Sequence, residues 1–197
     1  MNDDNDVYVC NNFLTQIEYN ALYNVIGSSY MDWYYNDTIN FSIDGDDSDY
    51  NFQFTHDIYQ FEKSGVLSLQ NSEFKLSYKE LIYPILTKLN AKALLRIKFN
   101  LNVRTNEIVV GGFHRDLPNI STPYKVAVFY LNTNNGYTLF KCGSKIESVA
   151  NRIVIFDGNL EHSGTSCTNQ KRRIVLNIDY IDKNESLNIN YIDKNQS

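Results

Sequence analysis

The sequence predicts a mainly β protein with flanking helices, in which helices pack on a β-sandwich or jelly roll. Three observations carry this. Helical signals stop before Leu94, short segments rich in Val, Ile, Phe and Tyr follow one another from there on, and Asn/Gly/Ser turns separate them.

The elements follow in chain order. Residues 2–6 are a polar start, and Val7-Tyr8-Val9 is a short strand. Thr15-x-x-Glu18 forms a capping box ahead of an apolar-periodic stretch to Ile26, which predicts a helix; Phe13 and Tyr19 flank the cap like a hydrophobic staple. Residues 43–50 are acidic and turn-rich. They read as a solvated loop and not a calcium loop, because no Glu stands at the closing position after Asp44 or Asp46. A second helix is expected over Tyr78–Leu89, with Leu81, Ile82, Ile85 and Leu89 on its apolar face. Strands are then expected at roughly 95–103, 108–113, 124–132, 137–142, 145–149, 152–156 and 172–180. Asn134-Asn135-Gly136 signals a tight hairpin, and Gly143-Ser144 and Asp157-Gly158-Asn159 mark further turns. Asn177–Asn184 recurs in near-identical form as Asn188–Asn195, a local duplication that lengthens the C-terminus. The expected organisation is one domain over 1–197: a helical N-terminal layer over about 1–93, a β core over about 94–180 and a repeat-bearing tail over 181–197.

Composition narrows the function classes. A net charge of −5 argues against general nucleic-acid binding, which needs Lys and Arg to displace counterions from phosphates; Lys171-Arg172-Arg173 is the one basic cluster. No signal-peptide pattern opens the chain and no apolar run approaches the ~18 residues of a membrane span, so no membrane partner is expected. Cys10, Cys142 and Cys167 match no zinc spacing and read as free thiols in a reducing cytoplasm, that of the host if the protein is viral.

Only three histidines exist, His56, His114 and His162. His114-Arg115-Asp116 sets two donors at i and i+2, on one side of an extended segment. His162 follows the strand ending at Phe156 and its turn. Two imidazoles and one carboxylate on one face of a metal leave open positions of the kind non-haem iron(II) oxygenases use. A His-x-Asp pair by itself more often makes a surface hydrogen bond; what counts is the set of residues around it. On the strand 172–180, Arg172, Ile174, Leu176 and Ile178 share one face and Arg173, Val175, Asn177 and Asp179 the other. Arg173 thus points away from the apolar face, and a buried arginine there calls for an anionic partner such as a carboxylate. His56 has no metal partner by spacing and reads as structural, while Trp33, Tyr34 and Tyr35 read as core or rim aromatics.

Over Arg96–Tyr180 the sequence resembles the prolyl-hydroxylase-like branch of the 2-oxoglutarate/iron(II) dioxygenases, in the small form carried by bacteriophages. The family's His-x-Asp appears as His114-Arg115-Asp116, and its Tyr-Leu-Asn strand as Phe129-Tyr130-Leu131-Asn132. Its Gly-Gly-x-Thr-x-Phe hairpin appears, with Asn for the first glycine, as Asn135-Gly136-Tyr137-Thr138-Leu139-Phe140. Its Gly-Arg-hydrophobic-Phe strand appears as Asn151–Phe156, its distal histidine as His162, and its Arg-x-x-hydrophobic strand as Arg173-Ile174-Val175-Leu176. Asn12-Phe13-Leu14-Thr15 resembles the entry segment.

The resemblance implies a double-stranded β-helix (jelly roll) and an enzyme that hydroxylates a prolyl residue or another small or peptidyl substrate, releasing succinate and carbon dioxide. It implies His114, Asp116 and His162 as iron(II) ligands, with Arg173, Tyr130 and Thr138 holding the 2-oxoglutarate co-substrate, and ascorbate as a candidate further cofactor. Asn102 stands near where the family often places a second tyrosine, and Arg172 would replace Arg173 if the strand register slipped by one. Two alternatives remain: nucleobase repair by the same chemistry, and a jelly-roll binding domain without catalysis. Repair needs a basic groove for the strand. With the acidic balance of this chain, fluorescence anisotropy at physiological ionic strength should detect no binding to single-stranded DNA. Tight binding that collapses as salt rises would restore the repair reading.

Overall fold

The computed structural model describes residues 7–37, 39, 52–60 and 72–183, with the side chains of 72–77 outside that description. The polar start, the acidic 43–50 segment and the second copy of the tail repeat lie outside the described residues.

The elements run β1 (Val7–Cys10), α1 (Gln16–Ile26), β2 (Tyr34–Asn36), β3 (Gln53–Gln60), α2 (Ser72–Leu89), β4 (Ala91–Val103), β5 (Lys125–Tyr130), β6 (Tyr137–Phe140), β7 (Lys145–Glu147), β8 (Arg152–Asp157), β9 (His162–Gly164) and β10 (Arg172–Asp182). They form a seven-stranded sheet in the order β1-β8-β5-β10-β4-β3-β2 and a three-stranded sheet in the order β7-β6-β9. All pairings between these strands are antiparallel. This is the expected jelly roll.

Helix α1 begins where the capping box places it. Thr15 is extended, its hydroxyl accepts from the Glu18 N–H, and the Glu18 carboxylate accepts from the Thr15 N–H. Leu22 and Ile26 of α1 and Ile82 and Ile85 of α2 are buried against Ile97, Phe99, Phe129, Ile174, Leu176 and Ile178 of the large sheet. A second apolar cluster lies on the other face of that sheet, where Phe140 of the small sheet meets Val128, Val154 and Phe156. Strands β4, β5, β8 and β10 therefore alternate between two cores.

Four expectations need correction. The N-terminal layer is not only helical. β1 is the strand expected at Val7–Val9 and extends the large sheet beside β8, while the unexpected β3 and β2 extend it beside β4. β3 escaped notice because its inward residues, Gln53 and Thr55, are polar and leave no apolar alternation. Helix α2 starts six residues early, at Ser72 instead of Tyr78, and carries Pro84 within it. Residues 108–113 form no strand; they run beside β9 through isolated bridges such as Val110 to Thr165, because Gly111-Gly112 interrupts the ladder. Asn134–Gly136 joins strands of two different sheets, so it is a crossover turn and not a hairpin.

Asn151 ties the chain start to the sheet. It sits at φ 61°, a left-handed conformation that Asn tolerates, and its carboxamide both accepts from the Leu14 N–H and donates to the Leu14 carbonyl, each at 2.8 Å. Leu14 is buried, so Asn151→Ala strands two backbone groups and adds left-handed strain. By chemical denaturation it should lose about 3 kcal/mol, at roughly 1–3 kcal/mol per unsatisfied buried group. Asn151→Gly should lose about 1 kcal/mol less, since only the strain is relieved. Equal losses would mean that the backbone conformation contributes nothing.

Candidate functional site

A cleft of about 980 Å³ opens between the two sheets, with β4, β10 and β3 as its floor and β9, β6 and the 111–118 segment as its wall. The residues of His-x-Asp reach it through main-chain pairing. His114 faces His162 across an antiparallel bridge, its N–H donating to the His162 carbonyl at 3.0 Å and the reverse bond closing at 3.1 Å. The two imidazoles lie 4.7 Å apart, and the His162 ring is packed edge-on against Phe156.

Each ring is oriented by its own chain. His114 Nδ1 is 3.2 Å from the Gly112 carbonyl and His162 Nδ1 is 3.2 Å from the Leu160 carbonyl, so a proton on Nδ1 leaves Nε2 as the lone-pair nitrogen. Both Nε2 atoms turn to Asp116, at 3.7 Å from Oδ1 for His114 and 3.6 Å from Oδ2 for His162. One donor atom from each of the three residues lies within 4.8 Å of the other two. Asp116 Oδ2 is buried without a hydrogen-bond partner among the described residues, which is costly for a carboxylate oxygen that meets no cation of its own. Nitrogen and oxygen donors with open positions fit iron(II).

The electrostatics keep those donors in ligand form. Burial alone would raise the Asp116 pKa, but the Arg96 guanidinium, and after it His114 and His162, hold it well below the usual carboxylate range. Burial lowers the His162 pKa and favours the neutral imidazole. Arg96 ion-pairs with Asp116 Oδ1 on one side and with Asp179 Oδ2, at 2.7 Å, on the other. Burial and the charge of Asp116 push Asp179 up to about 8.

At the far end of the cleft sits Arg173, 2% exposed. Its Nε donates to Ser148 Oγ at 2.8 Å and its Nη2 reaches Thr138 Oγ1 at 3.4 Å; no carboxylate pairs with it among the described residues. Gly136 makes room for its stem, since a Cβ there would stand 2.8 Å from Arg173 Cδ and 2.5 Å from the Ser166 carbonyl. Arg172, on the opposite face of β10, donates to the Gly27 carbonyl at the C-terminus of α1. Tyr130 is the one candidate that does not line the cleft. It is fully buried beneath Arg173, 5.6 Å from the guanidinium, and its hydroxyl donates to Thr138 Oγ1 at 2.8 Å.

His56 is structural, its Nδ1 lying 2.7 Å from the Asp32 carbonyl and its ring set edge-on against Tyr78. Trp33 packs on the helical core, and Tyr34 and Tyr35 are exposed. Sequence reasoning overlooked Arg96, Lys98 and Asn100 as cleft residues, and gave Asn177 and Asp179 no role there. The signal was present: in Arg96-Ile97-Lys98-Phe99-Asn100-Leu101-Asn102 every second residue is polar, and those four line the cleft.

No family model matches this sequence, and no curated protein matches it. Solved structures do share the fold. An oxidoreductase of the 2OG-Fe(II) oxygenase family from Burkholderia pseudomallei superposes with a TM-score of 0.63 at 10% identity, over 92% of this chain and 88% of that one. A prolyl hydroxylase from Trichoplax adhaerens, in complex with a hypoxia inducible factor oxygen degradation domain peptide fragment, gives 0.60 at 14% identity, over 91% and 84%. The non-heme alpha ketoglutarate dependent epimerase SnoN from nogalamycin biosynthesis gives 0.55 at 11% identity, over 91% and 79%; another of its structures holds Fe3+, alpha ketoglutarate and nogalamycin RO. The chain thus has the double-stranded β-helix fold of 2-oxoglutarate/iron(II) oxygenases.

Proposed function

We propose that the protein is a 2-oxoglutarate- and iron(II)-dependent dioxygenase that hydroxylates a small or peptidyl substrate, with a prolyl residue as one candidate. The observation that carries this is the shared cleft: three metal donors converge at one end, and a buried arginine without an acidic partner among the described residues stands at the other. His114, Asp116 and His162 are the residues that would hold iron(II), which supplies the centre for dioxygen activation coupled to oxidative decarboxylation of the co-substrate to succinate and carbon dioxide.

The chain's own residues do the positioning. Arg173 receives the distal carboxylate of 2-oxoglutarate through a planar guanidinium that Ser148 locks in place, which directs the keto-acid end toward the triad. Thr138 Oγ1 stands beside that carboxylate site, and Tyr130 orients Thr138 from behind, a positioning role and not a direct contact. Arg96 keeps Asp116 ionised and fixes its carboxylate. The side chains of Val128 and Val175 narrow the apolar side of the cleft and limit water.

Anaerobic protein given iron(II) and 2-oxoglutarate should develop the weak visible band of a chelated keto acid, and His162→Ala should abolish it. Wild-type protein that binds neither component would leave only the non-catalytic binding domain. The same titration separates the two arginines. Arg173→Ala should weaken 2-oxoglutarate binding by about ten- to a hundredfold, since a charge-assisted contact contributes ~1.5–3 kcal/mol and ~1.4 kcal/mol is tenfold. Metal binding should survive that change, and Arg172→Ala should leave co-substrate affinity near wild type. A loss carried by Arg172→Ala instead would reassign the anchor.

A further inference from the structure

Between the triad and Arg173 the cleft floor carries a third group of polar side chains that the reaction above leaves unused. Lys98 on β4 lies opposite Asn177 on β10, and Asn100 lies opposite Val175. All four line the cleft. Asn100 is 8% exposed and Asn177 9%, yet the side-chain oxygen of each is buried without a hydrogen-bond partner among the described residues. Lys98 is half-buried, and among the described residues no carboxylate lies within ion-pair distance of its ammonium. Of the acids near it, Arg96 holds both Asp116 and Asp179, and Asp57, its register partner on β3, is exposed and makes no ion pair with it. Burial, and then the charge of Arg96, lower the Lys98 pKa, against the smaller opposing charges of Asp116, Asp57 and Asp179.

2-Oxoglutarate does not account for this group. In register, Lys98 pairs with Asn177 while Arg173 pairs with Asn102, four residues further along β4. At about 3.3 Å per residue the two cations are rooted roughly 13 Å apart. 2-Oxoglutarate carries two carboxylates, and the proposed binding mode uses both, the distal one on Arg173 and the one beside the keto group at the triad. A co-substrate anchored on Arg173 with its keto acid at the triad leaves Lys98 to a different anion.

We propose that Lys98, flanked by Asn177 and Asn100, binds a carboxylate of the substrate, so that the enzyme acts on a small polar acid and not on a prolyl ring within a chain. The ammonium neutralises the carboxylate, and the two carboxamides hydrogen-bond the polar groups next to it, through whichever end of each amide faces the ligand. Apolar rings are poorly served by such a floor, because Lys98, Asn100 and Asn177 would lose water without gaining partners. The assignment rests on the dioxygenase reading for where the co-substrate lies.

The test compares N-acetylglycine with its neutral isostere N-acetylglycinamide by saturation-transfer NMR, on protein loaded with zinc(II) and saturated with 2-oxoglutarate. Wild type should prefer the acid by about tenfold, the size of one charge-assisted contact. Lys98→Met should lose that preference while keeping the wild-type 2-oxoglutarate titration, and Lys98→Arg should retain most of it. Asn177→Leu, which leaves the charge in place, should weaken both probes. Equal acid preference in wild type and Lys98→Met overturns the proposal. So does a Lys98→Met loss that appears in 2-oxoglutarate affinity instead, or tighter competition by inorganic phosphate than by the acid. If wild type fails to bind 2-oxoglutarate at all, the dioxygenase reading fails separately. The same pair of probes on metal-free wild type and Lys98→Met then still decides whether Lys98 takes a carboxylate.

Discussion

Strands β4 and β10 each present one face to a dry helical core and the other to a charged cleft, and everything at the site depends on that division. Ile97, Phe99 and Leu101 alternate with Arg96, Lys98, Asn100 and Asn102, and Ile174, Leu176 and Ile178 alternate with Arg173, Val175, Asn177 and Asp179. Bringing an ion out of water costs several kcal/mol even after relaxation, a cost that falls on the buried Arg96, Asp116 and Arg173. The cost is bearable because the same strands bury large aliphatic and aromatic side chains on their other face, each contributing roughly 1.5–3 kcal/mol. A one-residue slip would send the charges into the helical core and the apolar residues into the cleft. The register shift near Asp179 and Tyr180 leaves Leu95 as an extra residue on β4, so Leu95 turns to the second core just beyond Arg96, while β10 keeps its parity and Ile181 meets Leu95 there.

The charges inside the cleft are arranged so that one carboxylate stays available to a cation. Two acids share one guanidinium, and they respond in opposite directions. Asp116, closer to the two histidines, is held ionised, while burial and the charge of Asp116 push Asp179 toward its neutral form. Arg96 is thus held by both acids and cannot swing away, and the buried Asp116 Oδ2 is left facing His162. An ion-pair network of this kind is weak evidence for stability. It is better understood as fixing the direction of Asp116 Oδ2, the atom that the proposed function gives to the metal.

Much of this was legible in the sequence, for reasons that differ by residue. The triad could be read because His-x-Asp and a distal histidine leave a spacing pattern, and because only three histidines compete for the role. Arg173 could be told from Arg172 by strand parity, since period-two alternation survives in a long, two-sided strand. The same parity on β4 held the rest of the floor and went unused, because attention fell on titratable motifs and not on amides. What the sequence hid was strand structure without apolar alternation: β3 faces the cleft with Gln53 and buries the polar Thr55, and β9 is three residues long. The 108–113 segment failed in the opposite way. Its apolar residues suggested a strand, but Gly111-Gly112 allows only isolated bridges, enough to set His114 opposite His162.

Tyr130, singled out by its motif, lies one step behind the cleft. Its strand position matches the tyrosine of the resembling family, but its ring fills the core between the sheets and its hydroxyl ends on Thr138. Burial raises its pKa, so the phenol stays protonated and remains a donor, and the bond to Thr138 Oγ1 fixes which way that hydroxyl points. Thr138 in turn lies within reach of Arg173 Nη2. The guanidinium is therefore held from three sides: Ser148 at Nε, Thr138 at Nη2 and the Tyr130 ring beneath it. Gly136 completes the cradle by leaving out the one carbon that would displace the arginine stem. An arginine so confined has little rotamer freedom left to lose, so the carboxylate that the proposed function docks there would gain affinity without an added contact.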